Sequence, residues 1–288
     1  MPRALALMML AAAGCTAASA QVRDPSPVQP TVTAPVQLRL TLDEGSTWRR
    51  TREAFAGDVG GHSLRFELTS ALALRPMGAG RVSATETIER LSFARDGERG
   101  PLPPGTHGAI GTRTHLVLDD RNEVVEAPRI EGHGGRLLRA TLLAAIEALR
   151  VQLPEGEVRG GDRWSAPRVT LSPEGLRGIT VDVDRTFVLV DVEGDRARVG
   201  WEGRIAVRPF AAMGGRIEGR GELHGFSWIG LEDGVTRRTE LDVTLAARPA
   251  GTSEALELLR VGAKYAERTE RVGSAGDEIP EGDRRRLW

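Results

Sequence analysis

The chain has 288 residues, of which 40% are hydrophobic and 27% charged, a composition that folds and excludes a disordered chain. A net charge of −1 leaves no basic excess for nucleic acid, and 4% aromatic content leaves few rings for stacking bases or sugars. A single cysteine excludes a disulfide framework and a cysteine-based metal cluster.

The first twenty residues read as an export leader. Arg3 supplies a positive start, and Ala4 to Gly14 carry no charge. That run is too short to span a bilayer but has the length of a signal-peptide core. Two endings coexist in residues 1–20. Ala18-Ser19-Ala20 before Gln21 fits ordinary cleavage, whereas Ala12-Ala13-Gly14-Cys15 resembles the lipobox of bacterial lipoproteins, with Ala12 where leucine is preferred. The place of the sole cysteine, directly after small residues at the end of the leader, favours lipidation of Cys15. The expected address is exported, periplasmic or outer-envelope, with membrane contact through the lipid anchor. Residues 21–35 contain Pro25, Pro27, Pro30 and Pro35, which predicts an extended, semi-rigid tether.

Residues 36–272 form the expected folded body, and their dominant period is two. Val36, Leu38, Leu40 and Leu42 alternate with polar residues. So do Leu64, Phe66, Leu68, Leu72 and Leu74, with Ser70 intruding on the apolar side. Ile179, Val181, Val183, Phe187 and Leu189 share a third such face, opposite Asp182, Asp184 and Thr186. Alternation of this kind predicts antiparallel strands with one buried and one wet face, the acids and histidines lying on the wet side. The runs are long, so the fold class is mainly β: long antiparallel strands in a curled sheet or half-barrel. Met77-Gly78-Ala79-Gly80, Asp119 to Asn122, Glu193-Gly194-Asp195 and Glu232-Asp233-Gly234 punctuate the strands as hairpin turns.

One segment has a helical period. Leu138, Leu142, Ala145, Ile146, Leu149 and Leu153 form a stripe that predicts an amphipathic helix over 136–153, started after Gly134-Gly135, stopped before Pro154 and packed on the sheet. Residues 255–268 fit either a short helix or a strand centred on Val261, Ala263 and Tyr265, and Gly262 tips the reading to strand. Residues 273–288 read as a disordered tail.

Gly45-Ser46-Thr47-Trp48 and Gly161-Asp162-Arg163-Trp164 share a Gly-x-x-Trp spacing 116 positions apart, and Gly78 and Gly194 match at the same offset. The expectation is two similar meanders, residues 36–135 and 154–272, joined by the helix. Glycine permits a tight corner, Asp162 accepts main-chain N–H bonds, and Trp164 buries apolar surface at a strand start.

The stretch Leu153-Pro154 through Val158 to Gly161-Asp162-Arg163-Trp164 resembles an LP…V…GDxW signature of an uncharacterised family of exported bacterial β-rich proteins, some of them lipoproteins. The resemblance implies an extracytoplasmic β-sheet protein and brings no catalytic residues with it. More distantly, a curled sheet with a covering helix resembles half-barrel carriers of lipids or lipoproteins.

Chemistry is sparse. His62, His107, His115, His133 and His224 show no zinc spacing, and there is no nucleophile elbow or phosphate loop. No catalytic residue, metal or cofactor is expected. The functional expectation is a non-catalytic scaffold or binding module that holds a hydrophobic ligand or an envelope protein, and no nucleic acid. The alternative is an extracytoplasmic hydrolase in which His107, His115 and the Asp119-Asp120 turn gather round one concavity.

Overall fold

A computed structural model describes residues 34–57, 62–102, 106, 108–133, 147–172, 178–212, 215–252 and 259–274. Its strands are β1 (Ser46–Ala56), β2 (Leu64–Gly78), β3 (Arg81–Arg95), β4 (Glu98–Arg99), β5 (Arg113–Leu118) and β6 (Arg129–Glu131) in the first half. The second half holds β7 (Arg163–Leu171), β8 (Val181–Glu193), β9 (Arg196–Ala212), β10 (Gly215–Gly230), β11 (Thr236–Pro249) and β12 (Leu259–Ser274). They form one antiparallel, unclosed sheet of twelve strands in the order β6-β5-β3-β2-β1-β12-β11-β10-β9-β8-β7, with β4 paired to β3.

Both halves are meanders that advance in the same direction along the sheet, and their seam is the pairing of β1 with β12 at its centre. The β2–β3 and β8–β9 hairpins turn through glycines with positive φ, Gly78 (+78°) and Gly194 (+61°), a backbone that other L-residues resist.

The sheet curls because strands from its two wings meet the same short segment. From one wing, Arg121 accepts from the Leu153 amide (2.8 Å) and Asn122 Nδ2 donates to the Val151 carbonyl (2.8 Å). From the other, Trp164 Nε1 donates to the Gln152 carbonyl (2.7 Å), and Arg185 donates to the carbonyls of Glu147 and Arg150 (2.9 and 3.0 Å). Residues 149–158 thus staple the wings together, in place of a strand–strand ladder.

This staple corrects the predicted helix. Residues 134–146 lie outside the described residues, Glu147 and Ala148 are helical, and Leu149 is a bend followed by non-helical backbone through Leu153. The reason is local. Val151, Gln152 and Leu153 are all buried, and three consecutive residues cannot share one helical stripe. Pro154 also pushes Leu153 out of helical backbone.

The run Val36–Leu42 is likewise no strand of the sheet. Its amides and carbonyls bond outside any ladder, with Val158 (2.8 and 2.9 Å), Asp120 (2.7 Å) and Asp233 (3.1 Å). The alternation is real, since Leu38 and Leu40 are buried, but they face the core from across one mouth of the sheet. Of the ambiguous stretch 255–268, residues 255–258 lie outside the described residues and 259–268 are strand; β12 runs on through Gly273 and Ser274, two residues into the predicted tail.

The core lies between the concave face and this cover. Phe187 packs edge-on against Trp201 at 4.8 Å, and Trp201 Nε1 donates to Ser227 Oγ (2.8 Å), which pairs with Thr239 Oγ1 (2.8 Å). The convex face carries exposed ion pairs such as Arg168–Asp184 (2.6 Å) and Arg65–Glu53 (2.9 Å), each worth tenths of a kcal/mol.

Candidate functional site

Near the centre of the concave face, among apolar neighbours, lies one charged patch. In β1, Trp48, Arg50, Arg52 and Ala54 alternate on the inner side, as their partners across the ladders show. Arg50 stands opposite Ser70 of β2 and Thr269 of β12, and Arg52 stands opposite Leu68 and Glu267. Glu86 enters from β3, opposite Leu72.

These side chains form a closed ionic network. Arg52 donates to Glu86 through Nη1 (2.5 Å) and Nη2 (3.0 Å) and to Glu267 through Nε (2.9 Å). Arg50 donates to Glu86 (3.1 Å) and lies 3.5 Å from Glu267. Ser70 Oγ donates to Glu86 (2.5 Å) and Tyr265 to Glu267 (2.7 Å). The four charged side chains keep only 10% to 20% of their surface, so water screens the pairs weakly. The expected wet-side placement of the acids is therefore wrong for Glu86 and Glu267. Asp191, buried against Arg198 (2.5 Å), is a third exception. Each buried acid stays inside because an arginine meets it, which is what makes a buried charge tolerable.

Electrostatics follows from that geometry. Burial acts to raise the Glu86 carboxyl, but the guanidiniums of Arg52 and Arg50 outweigh it and hold Glu86 down at about 2. Glu267 is lowered by the same balance. Burial and the Glu267 charge push the Tyr265 phenol well up, so it remains a neutral donor. Both carboxylates are therefore ionised at neutral pH and held by the arginines.

Above the patch lies a cavity of about 100 Å³. Leu72, Leu74, Ala84 and Leu116 form its apolar wall, Arg50, Arg52, Glu86 and Glu267 its floor, and Leu40, Leu149, Arg150, Val151 and Val235 its roof.

The residues singled out in the sequence fall elsewhere. Trp48 is buried in β1, its Nε1 donating to Ser46 Oγ (2.8 Å), with Arg237 stacked over the ring at 4.2 Å; Gly45 precedes that strand. Gly161 (φ +91°) donates its amide to the Leu189 carbonyl, and Asp162 accepts from the Arg159 amide (2.8 Å), ahead of Trp164. Trp164 is half-buried, 5.8 Å from Phe187. Cys15 lies outside the described residues.

The hydrolase constellation does not assemble among the described residues, and His107 lies outside them. His115 sits by Thr85 (3.1 Å) and Glu131 (3.5 Å), Asp119 accepts from the turn amides of Arg121 and Glu123, and Asp120 pairs with Arg39 (3.2 Å). No group of three metal-binding side chains gathers among the described residues.

The ionic patch had one visible signal, the polar Ser70 inside the apolar alternation of β2. Arg50 and Arg52 carried none, because β1 is polar on both faces.

No protein-family model matches the chain, and no curated protein matches it either. Among solved structures, lipovitellin, from work on its lipid–protein interactions, is similar at 8% identity and a TM-score of 0.44. That match covers 81% of this chain and 25% of lipovitellin, so the chain spans about a quarter of its length. A domain described as an outer membrane lipoprotein-sorting protein domain, from Vibrio parahaemolyticus, aligns at 9% identity and a TM-score of 0.25 over 84% of this chain and 91% of its own. The β domain of the Bordetella autotransporter BrkA aligns at 11% identity and a TM-score of 0.22, over 79% and 99%.

Proposed function

We propose that the chain is an exported, lipid-anchored binding module without catalytic chemistry, which holds the apolar part of a small ligand beneath its 149–158 staple. The cavity between the concave face and the staple carries this reading, because its wall is leucine and alanine and its roof is a clamped segment rather than a strand. At about 100 Å³ it holds some three water volumes, so the ligand inside is a short chain and not a whole lipid.

Filling the cavity tests the reading. Ala84→Leu adds three carbons to its wall and should weaken binding of butan-1-ol at least about tenfold by calorimetric titration, with the thermal midpoint unchanged or raised. Undiminished butan-1-ol binding in this variant would move the ligand elsewhere and defeat the reading.

The address rests on Arg3, the apolar run Ala4–Gly14 and the small residues before Cys15. Metabolic labelling with a fatty-acid analogue should mark the wild type and leave Cys15→Ala unmarked. Equal labelling of both would remove the anchor from the proposal, leaving cleavage after Ala20.

A further inference from the structure

The charges round the cavity do not balance. Arg50, Arg52 and Arg150 face Glu86 and Glu267, three guanidiniums against two carboxylates. Arg52 is fully engaged with the acids, and Arg50 bonds Glu86 through Nη1 while its buried Nε only approaches Glu267 at 3.5 Å. Arg150 has no ion pair with either acid among the described residues. Its Nη1 is buried and has no hydrogen-bond partner among the described residues. Burial, then the Arg50 charge, pushes its guanidinium down to about 9 against an opposing pull from Glu86, with lesser pushes from Arg185 and Arg52. It remains protonated at neutral pH.

The backbone on either side of Arg150 is held. Arg185 ties the carbonyls of Glu147 and Arg150 to the concave face, and Asn122 ties Val151 from the opposite wing. The Arg150 main chain is thereby kept over the cavity that its side chain lines. A buried donor left unpaired is costly, and a planar, charged donor is suited to a carboxylate.

We infer that the cavity takes the carboxylate of a short-chain aliphatic acid of about three to five carbons, with Arg150 donating to the carboxylate and Leu72, Leu74, Ala84 and Leu116 holding the chain. This rests on the cavity being the binding site. The excess of one positive charge matches a monoanion, whereas a dianion such as a phosphate monoester would leave a net negative charge buried. The volume limits the chain, and the leucines select an aliphatic acid over a polar one of equal size.

The test compares butanoate with butan-1-ol, which share a chain and differ in the head, on the full chain by calorimetric titration. Wild type should bind butanoate at least about tenfold more tightly, equivalent to about 1.4 kcal/mol. Arg150→Met should abolish that preference by weakening butanoate, and Arg150→Lys should restore part of it. A measurement on the wild type alone guards against a variant that fails to fold: the carboxyl carbon of bound [1-¹³C]butanoate should titrate below its free value. Equal affinity for acid and alcohol, a preference that survives in Arg150→Met, or an unshifted bound carboxyl would each overturn the assignment of the head. If butan-1-ol binds and Ala84→Leu removes it, the cavity reading stands even so. If neither compound binds, both fall.

Discussion

Replacing Glu86 by alanine should destabilise the protein by about 3 to 5 kcal/mol, because it strips Arg52 and Arg50 of their shared acid at the centre of the concave face. Joint replacement of Glu86 by leucine and Arg52 by methionine should cost less than the sum of the single changes, since the two groups compensate each other. Acid should act on the same network. A carboxyl whose folded value is depressed stabilises the fold fully above its unfolded value and loses that contribution as pH falls through the folded one. For Glu86 the window runs from about 4.5 down to about 2, and its share is roughly 3 kcal/mol, with Glu267 acting in the same direction. Urea unfolding of wild type and Glu86→Gln between pH 7 and pH 2 checks both points. The wild-type stability should fall steeply within that window and the variant's fall should be shallower; parallel curves would refute the network's role.

The second large effect is expected at Gly234, in the turn between β10 and β11. Its φ is +67°, and a Cβ there would lie 2.0 Å from the Arg39 carbonyl oxygen and 2.7 Å from the Leu40 amide nitrogen. These obstacles are backbone, so Gly234→Ala must displace the Val36–Leu42 run. The strained φ contributes about 1 to 2 kcal/mol and the overpacking about 1 to 3 more. Hydrogen exchange localises the damage. The amides of Leu40 and Thr41, bonded to Asp120 and Asp233, should lose protection first, while those in the middle of β8 keep theirs. Uniform loss along the chain would mean that the turn and the run are not coupled as described.

Where one face is apolar, as in β2 and β8, the alternation of Leu72, Leu74, Val183 and Phe187 revealed strands and their inner side from the sequence alone. The hairpins did the same, because positive φ at Gly78, Ala79 and Gly80 leaves a mark in composition. The ionic patch left almost none. Arg50 and Arg52 look like solvent-facing residues until their partners are known, and Glu267 stands 215 residues from Arg52. Only the register of β1 against β12 brings them together, and register is set by the whole sheet. Residues 149–153 misled for a related reason. Leucines at helical spacing also suit an extended segment clamped from two sides, and the clamps, Asn122 and Arg185, are distant in sequence.

The seam between β1 and β12 also bears on how the molecule is made. During synthesis β1 emerges early with one flank matched by β2 and the other bare, and it waits for a complement that arrives only after ten further strands. Contacts of such long range form slowly, and an exposed flank invites pairing with a neighbouring nascent chain. A chain shortened before β12 would keep most of its hairpins yet lose Glu267 and Tyr265 together with the bond between its halves, and should precipitate instead of yielding two independent lobes.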